Sequence, residues 1–228
     1  MPGGYGILSV ENPMHILYED NHLIALVKPA GLATMGLAEG CETLFTKTKA
    51  YIKKKYAKPG NVYLGIVSRL DVPVTGVVLF ARTSKAAARL NDQFREHTVE
   101  KVYAALVEGR IMPAKGECVD YICEDKKNHK AFVSQTGQGK EARLSYQILR
   151  PMNRCSLIEI QLETGRKHQI RLQFSVRGFP ICGDVKYGAK QSFSDGIALH
   201  AWKLTFSHPV TKERIELVAP LPKAFAGN

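Results

Sequence analysis

Apolar residues along the chain fall mainly into short runs bounded by turn-forming residues, which is the pattern of β-strands. Near the start, residues 16–20 and 23–28 predict two strands joined by a turn at 20–22. Further strands are predicted at 77–81, 101–109, 116–124, 130–134, 141–149, 154–162, 198–206 and 214–218. Because most of these runs are separated by short turns, we expect a mostly antiparallel sheet.

Three segments have helical spacing instead. Residues 43–56 form the first, residues 83–97 with Thr83 as N-cap form the second, and residues 166–177 form the third. In the third we expect Ile170 and Phe174 to pack on one face and the opposite face to present Arg171. The sequence therefore predicts an α+β fold, in which helices and loops flank a mostly antiparallel mixed sheet.

Domain organisation follows from the same pattern. Residues 1–15 carry glycines and prolines with little periodicity, so we expect a loose N-terminal arm. Residues 16–222 show no internal repeat and no linker, which predicts one domain. Residues 223–228 are expected to form a C-terminal tail.

The charge balance indicates the class of partner. The 228 residues include 32 Lys and Arg against 21 Asp and Glu, a net charge of +11. A positive field of this size favours polyanions, with nucleic acid as the leading candidate. The five cysteines, at 41, 118, 123, 155 and 182, form no CxxC pair. Free thiols suit a reducing compartment, and no signal peptide or membrane span is evident, so we expect a cytoplasmic protein with no membrane partner.

Several kinds of chemistry lack the motifs they require. The chain has no GxGxxG, no GxxxxGK[ST], no GxSxG and no HExxH motif. We therefore expect no nucleotide cofactor, no serine-hydrolase chemistry and no metal. The remaining candidates for chemistry are carboxylate, arginine and tyrosine side chains on a basic protein.

One segment, residues 67–83, places the charged pair Arg69 and Asp71 between two apolar runs. Pro73 and Gly76 predict a tight loop, which would present a carboxylate from a rigid setting. Taken alone, the segment is equally consistent with a turn whose two charges are solvated. The lysine-rich stretch 47–55 has a similar ambiguity between a solvated helix face and contact with nucleic-acid phosphates.

Three blocks, taken in order, favour an active-site loop over a solvated turn for residues 67–83. They are Arg69-Leu70-Asp71 with Gly76, the strand residues 101–103, and Thr164-Gly165-Arg166-Lys167-His168-Gln169-Ile170-Arg171. Together they closely resemble the RluA-type pseudouridine synthases, whose active-site loop reads His-Arg-Leu-Asp and whose later helix reads Gly-Arg-x-His-Gln-Ile-Arg. Supporting matches lie at 17–20, 28–31, 183–184, 187–188 and 199–201, so the resemblance spans about residues 16–220.

The resemblance implies the catalytic-domain fold of that family, with an active-site cleft across the sheet. It also implies an isomerase that converts specific uridines of ribosomal or transfer RNA to pseudouridine without a cofactor. Two departures stand out. Ser68 replaces the usual His, and residues 72–75 replace a more polar pattern. Many relatives carry an N-terminal S4-like domain for which this chain has no room, so we expect the catalytic domain itself to recognise the target as a monomer.

By resemblance, Asp71 is the catalytic nucleophile, Arg171 pairs with it, and Tyr103 lies against the target uracil. An aspartate is ordinarily ionised at neutral pH and needs no activating base. A uridine within folded RNA would first be flipped out. We expect Arg69 to contact the RNA where the base leaves. The other RNA-contacting candidates are Arg166, His168, Lys53 and Lys54, and for Arg166 and His168 a structural role around the helix is expected as well.

Two other hypotheses stay open at this point. The chain could be a non-catalytic RNA-binding relative that uses the same basic cleft, which the departures at Ser68 and 72–75 allow. It could also be an unrelated nucleic-acid enzyme that uses Asp71 with a metal, although no partner carboxylate has a recognisable spacing.

Overall fold

A single sheet with three flanking α-helices organises the protein. The computed structural model describes residues 14–36, 41–125 and 130–225. The strands are β1 His15–Glu19, β2 Leu23–Lys28, β3 Gly65–Ile66, β4 Thr75–Ala81, β5 Glu100–Glu108, β6 Lys115–Asp125, β7 Lys130–Val133, β8 Lys140–Pro151, β9 Cys155–Leu162, β10 Leu199–Ser207 and β11 Arg214–Val218. The helices are α1 Leu44–Lys55, α2 Ser84–Arg95 and α3 Gln169–Val176.

The strand order is β1-β2-β4-β10-β5-β9-β8-β6-β7, and β3 and β11 pair with β4 and β10 outside this path. The named strand pairs are antiparallel except β4 and β10, which run parallel where Thr75 and Gly76 face His200 and Ala201. The predicted α+β fold with a mostly antiparallel mixed sheet is therefore confirmed. The N-terminal strands pair as a hairpin, also as predicted.

Strands β2 and β4 are buried on both faces, which explains their nearly continuous apolar sequence. Alternate side chains point to opposite faces. One set, which includes Leu79, packs with Leu90 of α2, while the other, which includes Phe80, packs with Ile52 of α1. Thr43 and Thr83 cap these two helices by accepting backbone hydrogen bonds, so the predicted starts of both helices are confirmed.

A third apolar cluster fills the space between α3 and the β5, β9 and β10 strands. Ile170 and Phe174 of α3 enter it, as the spacing predicts, while Leu172 enters a smaller cluster beneath β6 to β8. The opposite face of this helix presents Arg171, as expected, and it does so toward a buried site and not toward solvent. Arg171 is only 5% exposed, because carboxylates on two other segments pair with its guanidinium in the interior.

The chain ends behave differently from one another. Most of the predicted N-terminal arm lies outside the described residues, and His15 already belongs to β1. In the predicted C-terminal tail, residues 223–225 form a 3₁₀ turn whose Phe225 is buried against the third cluster. None of the described helices is long and apolar enough to span a membrane.

Candidate active site

A cleft of about 1370 Å³ runs across the sheet at the point where β4, β5 and β10 meet. Its walls come from segments distant in sequence: the loop 67–73, β5, residues 165–171 and β10. Asp71, Tyr103 and Arg171 all line it. The structure therefore brings together the three residues that the sequence analysis proposed as catalytic.

The loop that carries Asp71 is fastened along its backbone. The Thr34 hydroxyl donates to the Leu70 carbonyl at 2.9 Å and accepts from the Leu70 amide at 3.1 Å. Two residues later, the Val72 carbonyl accepts from the Gly31 amide at 3.0 Å, and Pro73 accepts from the amide of Ile197 at 3.1 Å. Asp71 is thus held between two pinned neighbours, which limits how far its carboxylate can move.

Lys28 provides a further tie from the interior. Its side chain is fully buried, and Nζ donates to the carbonyls of Pro29, Leu32 and Val72 at 2.7–3.0 Å. Burial lowers the pKa of this ammonium to about 8, and the nearby negative charge of Asp71 partly opposes that effect. A buried cation beneath the loop therefore joins the hairpin end to the segment that carries Asp71.

Ser68, which departs from the family pattern, has a backbone-bridging role here. Its hydroxyl accepts from the Leu79 amide at 3.0 Å, and its own amide donates to the Leu79 carbonyl at 3.3 Å. Both bonds hold the start of the loop against β4. The residue is therefore compatible with an intact loop.

Gly76 allows the two halves of the sheet to approach each other. Its φ of 114° lies in a region that side chains disfavour, and an added Cβ would lie 2.2 Å from the Ala201 carbonyl oxygen. Beside it, Thr75 Oγ1 lies 2.7 Å from Nδ1 of the buried His200. This tight contact places the Asp71 loop next to β10.

Arg171 connects two carboxylates. Its Nε and Nη2 atoms donate to Oδ2 and Oδ1 of Asp184 at 2.7 and 2.8 Å, and Nη1 donates to Oδ2 of Asp71 at 2.9 Å. The hydrogen bonds to these carboxylates raise the pKa of Arg171 despite its burial. The pairing of Arg171 with Asp71 that the sequence analysis expected is present in the structure.

His168 approaches the same aspartate from the turn before α3. It occupies the left-handed region, with φ of 55°. Its Nε2 lies 3.5 Å from Asp71 Oδ2, and its Nδ1 lies 2.6 Å from the Tyr187 hydroxyl. Burial lowers the pKa of His168, so the imidazole is mainly neutral at pH 7.

Tyr103 lies on β5, where it faces Ala201 of β10 and Ile160 of β9 in the strand register. Burial first, and the charge of Asp71 second, raise the pKa of its phenol well above the ordinary value. The ring is therefore neutral at physiological pH, and it offers a flat surface in the cleft next to a carboxylate.

Cations surround this centre. Arg69, Lys101 and Arg166 line the cleft, and the remaining basic residues in its walls are Arg95, His97, Lys140, Lys167, His168, Arg171, Lys186 and Lys203. Burial, followed by repulsion from Arg166, lowers the pKa of Lys101 to about 8. Arg69 is exposed, whereas Arg166 Nε donates to the Glu141 carbonyl at 2.8 Å. Such a wall is suited to a polyphosphate backbone.

Lys53 and Lys54 are not part of this arrangement. Both are exposed in the last turn of α1, and neither lines the cleft. Their neighbour Lys55 pairs with Glu19 at 2.7 Å, so one member of the lysine cluster stabilises the hairpin. Their assignment to RNA binding stays a prediction.

The sequence analysis missed Lys28, Asp184 and Tyr187 as residues that organise the site. A lysine at the end of a buried strand was a signal for the first, and the matched pairs at 183–184 and 187–188 were a signal for the other two. Within the described ranges, no group of three His, Cys, Asp or Glu side chains is placed to hold a metal ion.

Comparison with known proteins supports what the geometry indicates. Residues 22–176 match a family model described as RNA pseudouridylate synthase. A Bacillus subtilis protein, described as an uncharacterized RNA pseudouridine synthase, is 34% identical over 99% of this chain and 75% of its own length. The ribosomal large subunit pseudouridine synthase D of Zymomonas mobilis is 33% identical over 92% of this chain and 70% of its own.

Among solved structures, the human RNA pseudouridylate synthase domain containing 4 superposes with a TM-score of 0.76 at 27% identity. The match covers 93% of this chain and 90% of the human chain. The basic cleft, the fold and the sequence matches agree, and the chain belongs to the RNA pseudouridylate synthase family, as an isomerase of uridine in RNA similar to the RluA-type enzymes.

Proposed function

We propose that the protein isomerises a flipped-out uridine of ribosomal RNA, with Asp71 as the nucleophile. The observation that carries this proposal is the asymmetric setting of the carboxylate. Oδ2 is held by Arg171 and approached by His168, whereas Oδ1 accepts no hydrogen bond from any described residue. One oxygen is thus fixed, and the other is available at the cleft for a reacting atom.

The reaction requires only groups that the cleft supplies. The N1–C1′ bond of uridine breaks, a C5–C1′ bond forms, C5 loses its proton and N1 gains one, so substrate and product are isomers. Asp71 can act as the nucleophile without a separate base.

Tyr103 is suited to hold the detached uracil. A neutral aromatic ring in the cleft can stack on a base, and such stacking contributes about 1–3 kcal/mol per base. Flipping the uridine costs a few kcal/mol, which the stacking and the surrounding cations offset. Arg69, exposed at the same wall, is placed to contact the RNA at the position that the base leaves.

Ribosomal RNA is the substrate class that we favour. Relatives from Zymomonas mobilis and Nitrosomonas europaea are both named as ribosomal large subunit pseudouridine synthases. Transfer RNA is the competing substrate class. The two are separated by the experiment below.

Pseudouridine mapping of total RNA from cells with and without the gene tests the activity and identifies the substrate. We expect at least one uridine of ribosomal RNA to lose its modification without the gene. Modification that returns with the wild-type gene, but not with Asp71→Asn, would support the nucleophile. Glu42→Gln is a matched control, because it also turns a carboxylate into an amide, and Glu42 pairs with Lys47 at 2.8 Å on the surface, where neither residue lines the cleft.

Loss of sites in transfer RNA alone would contradict the substrate class. Full activity of Asp71→Asn would contradict the role of Asp71. If purified wild-type protein binds RNA but modifies no uridine in total RNA from cells without the gene, a non-catalytic binding function would replace the proposal.

A further inference from the structure

In the segment 183–188, Asp184 and Tyr187 take no part in the reaction proposed above, although they contact both side chains that approach Asp71. We propose that this segment is a positioning device: Asp184 acts through Arg171, Tyr187 acts through His168, and together they restrain Oδ2 of Asp71 so that Oδ1 is the reacting oxygen. The inference rests on the proposed role of Asp71, and it names residues that the reaction would depend on without their touching substrate.

Asp184 fixes the arginine. Its side chain is almost completely buried, and both carboxylate oxygens accept from Arg171 in a parallel, two-point arrangement. A fork-to-fork pair of this kind sets the plane of the guanidinium as well as its position. The third bond, from Nη1 to Asp71, therefore has its direction determined by Asp184.

Tyr187 fixes the imidazole. Because a carboxylate only accepts hydrogen bonds, a neutral His168 interacts favourably with Asp71 when Nε2 carries the hydrogen. Nδ1 is then an acceptor, and the Tyr187 hydroxyl at 2.6 Å is its donor, because this contact is much shorter than the 3.5 Å from the same hydroxyl to the Ala131 carbonyl, which is at the limit of hydrogen bonding. In this arrangement the tyrosine selects the tautomer that faces Asp71 with an N–H group. Arg171, Lys167 and Lys186 also face the ring with positive charge, which disfavours a second proton on it.

The two arms are coupled to each other. The guanidinium carbon of Arg171 lies 4.9 Å from the centroid of the Tyr187 ring, so the tyrosine supports both side chains. Both arms end at the same oxygen, Oδ2 of Asp71. Their common effect is to orient the carboxylate and leave Oδ1 unengaged.

The segment itself is rigid enough for this purpose. Gly183 has φ of 84°, and an added Cβ there would lie 2.7 Å from Cβ of Phe193. The amide of Asp184 donates to the Ile181 carbonyl at 2.9 Å. The Tyr187 carbonyl accepts from the Ser175 hydroxyl of α3 at 2.6 Å. Positioning side chains carried on such a fixed turn can hold a carboxylate with the accuracy that catalysis needs.

Substitution of Tyr187 is the central test, because Tyr187→Phe removes one hydroxyl and keeps the ring. We expect kcat on an RNA substrate to fall about tenfold, with KM and thermal stability nearly unchanged. Tyr51→Phe is the matched control. Tyr51 lies on α1, outside the cleft lining, and its hydroxyl donates to Glu19 of β1 at 2.9 Å. The kcat of this variant should equal that of the wild type. Equal kcat for the two variants would overturn the proposal.

The histidine tautomer provides a readout that does not depend on activity. In ¹⁵N spectra of histidine-labelled protein, we expect His168 in the Nε2–H form, assigned by its absence from His168→Asn. In Tyr187→Phe the Nδ1–H form should become populated. An Nδ1–H tautomer in the wild type would overturn the inference. Because this measurement needs no substrate, a failure of the proposed function and a failure of the positioning network are distinguishable.

Asp184→Asn tests the second arm. The amide replaces one of the two accepting oxygens with an NH2 donor, so the two-point pair with Arg171 is lost, and we expect kcat to fall about 100-fold while RNA affinity is retained. Wild-type kcat in a folded Asp184→Asn protein would contradict this arm. If the variant does not fold, Tyr187→Phe and the tautomer spectra still decide the proposal.

Discussion

At the scale of single residues, the most informative side chain is one that never reaches the cleft. Lys28 is fully buried beneath the Asp71 loop and donates to three carbonyls. A buried charge is tolerated only when its hydrogens are satisfied. Burial removes the Lys28 ammonium group from water, and its three hydrogen bonds offset the free energy of that desolvation. The same bonds fix the position of the loop.

Replacement of this lysine should affect both stability and catalysis. Lys28→Met removes the donors, so we expect a loss on the order of 2 kcal/mol in unfolding free energy at pH 7. We also expect kcat to fall at least about tenfold, because the loop loses a tie. Denaturant unfolding and turnover on RNA measure the two effects. Unchanged kcat would contradict the link to the loop.

The pH dependence of this effect has a definite sign. The pKa of Lys28 is about 8 in the folded protein, against 10.5 ordinarily. Between these values the unfolded chain binds a proton that the native state has lost, so the contribution of Lys28 to stability rises with pH. The stability difference between wild type and Lys28→Met should grow by on the order of 2 kcal/mol from pH 8 to 10. A difference that shrinks over this range would contradict the low pKa.

The sequence predicts some of these residues and not others, for a physical reason. Asp71, Tyr103 and Arg171 were identified from local blocks, and the cleft contains all three. Lys28 and Asp184 act through contacts with residues far away in the chain, such as Val72 and Arg171. Such contacts leave no periodic pattern, so the sequence could mark the positions of these residues at most and did not reveal their partners.

At the scale of elements, the helix α3 has buried polar residues that its sequence pattern does not predict. Periodicity located its apolar residues and placed Arg171 on the opposite face, but it did not indicate that this face is buried as well. In the structure, Gln169, Arg171 and Gln173 are as well buried as the apolar residues between them. Most of these polar groups have partners: Gln173 Nε2, for example, donates to Asp120 at 2.8 Å, although its Oε1 accepts no hydrogen bond from a described residue. An amphipathic pattern cannot distinguish a polar face in water from a polar face that is paired in the interior.

The close contact between β4 and β10 makes a prediction at this scale. Gly76→Ala would place a Cβ in contact with Ala201 in a disfavoured backbone region, so we expect destabilisation on the order of 3 kcal/mol. Gly165→Ala is the matched control, since its φ is not positive and no atom lies within 4 Å of the added Cβ. Thermal unfolding of the two variants measures the difference. Equal melting temperatures would contradict the close approach.

At the scale of the whole molecule, the net charge is +11, and basic residues are grouped in two separate regions. Much of the cleft wall is basic, while the lysine cluster on α1 lies elsewhere. Counterion release makes each phosphate contact visible as salt dependence of binding. The two basic regions can therefore be told apart by RNA length.

Lys101→Ala and Lys203→Ala should each reduce the slope of log affinity against log salt by about 0.7–0.9, even for a short oligonucleotide that fills only the cleft. The double variant Lys53→Ala, Lys54→Ala should reduce the slope only for longer RNA that extends beyond the cleft. Fluorescence anisotropy over a salt series measures both. If the double variant binds long RNA as the wild type does, these lysines form a solvated helix face.

The overall fold was predictable because its strands are short, apolar and separated by turn residues. The register of the sheet was not, since nothing in the local sequence of β4 indicates that its parallel neighbour is β10. That pairing depends on the absence of a Cβ at Gly76 and on the packing of three clusters. The fit between two strands so far apart in the chain is a property of the folded protein, and no short stretch of sequence reveals it.

The parallel contact between β4 and β10 also has a consequence for how the protein folds. Thr75 and His200 are 125 positions apart, and Asp71 and Arg171 are 100 apart. Closing such distances is entropically costly and comes late in folding, after local hairpins have formed. During synthesis, the loop of Asp71 emerges well before the residues that complete its surroundings. We therefore expect catalytic competence to be acquired late in folding, when the distant segments that form the cleft come together.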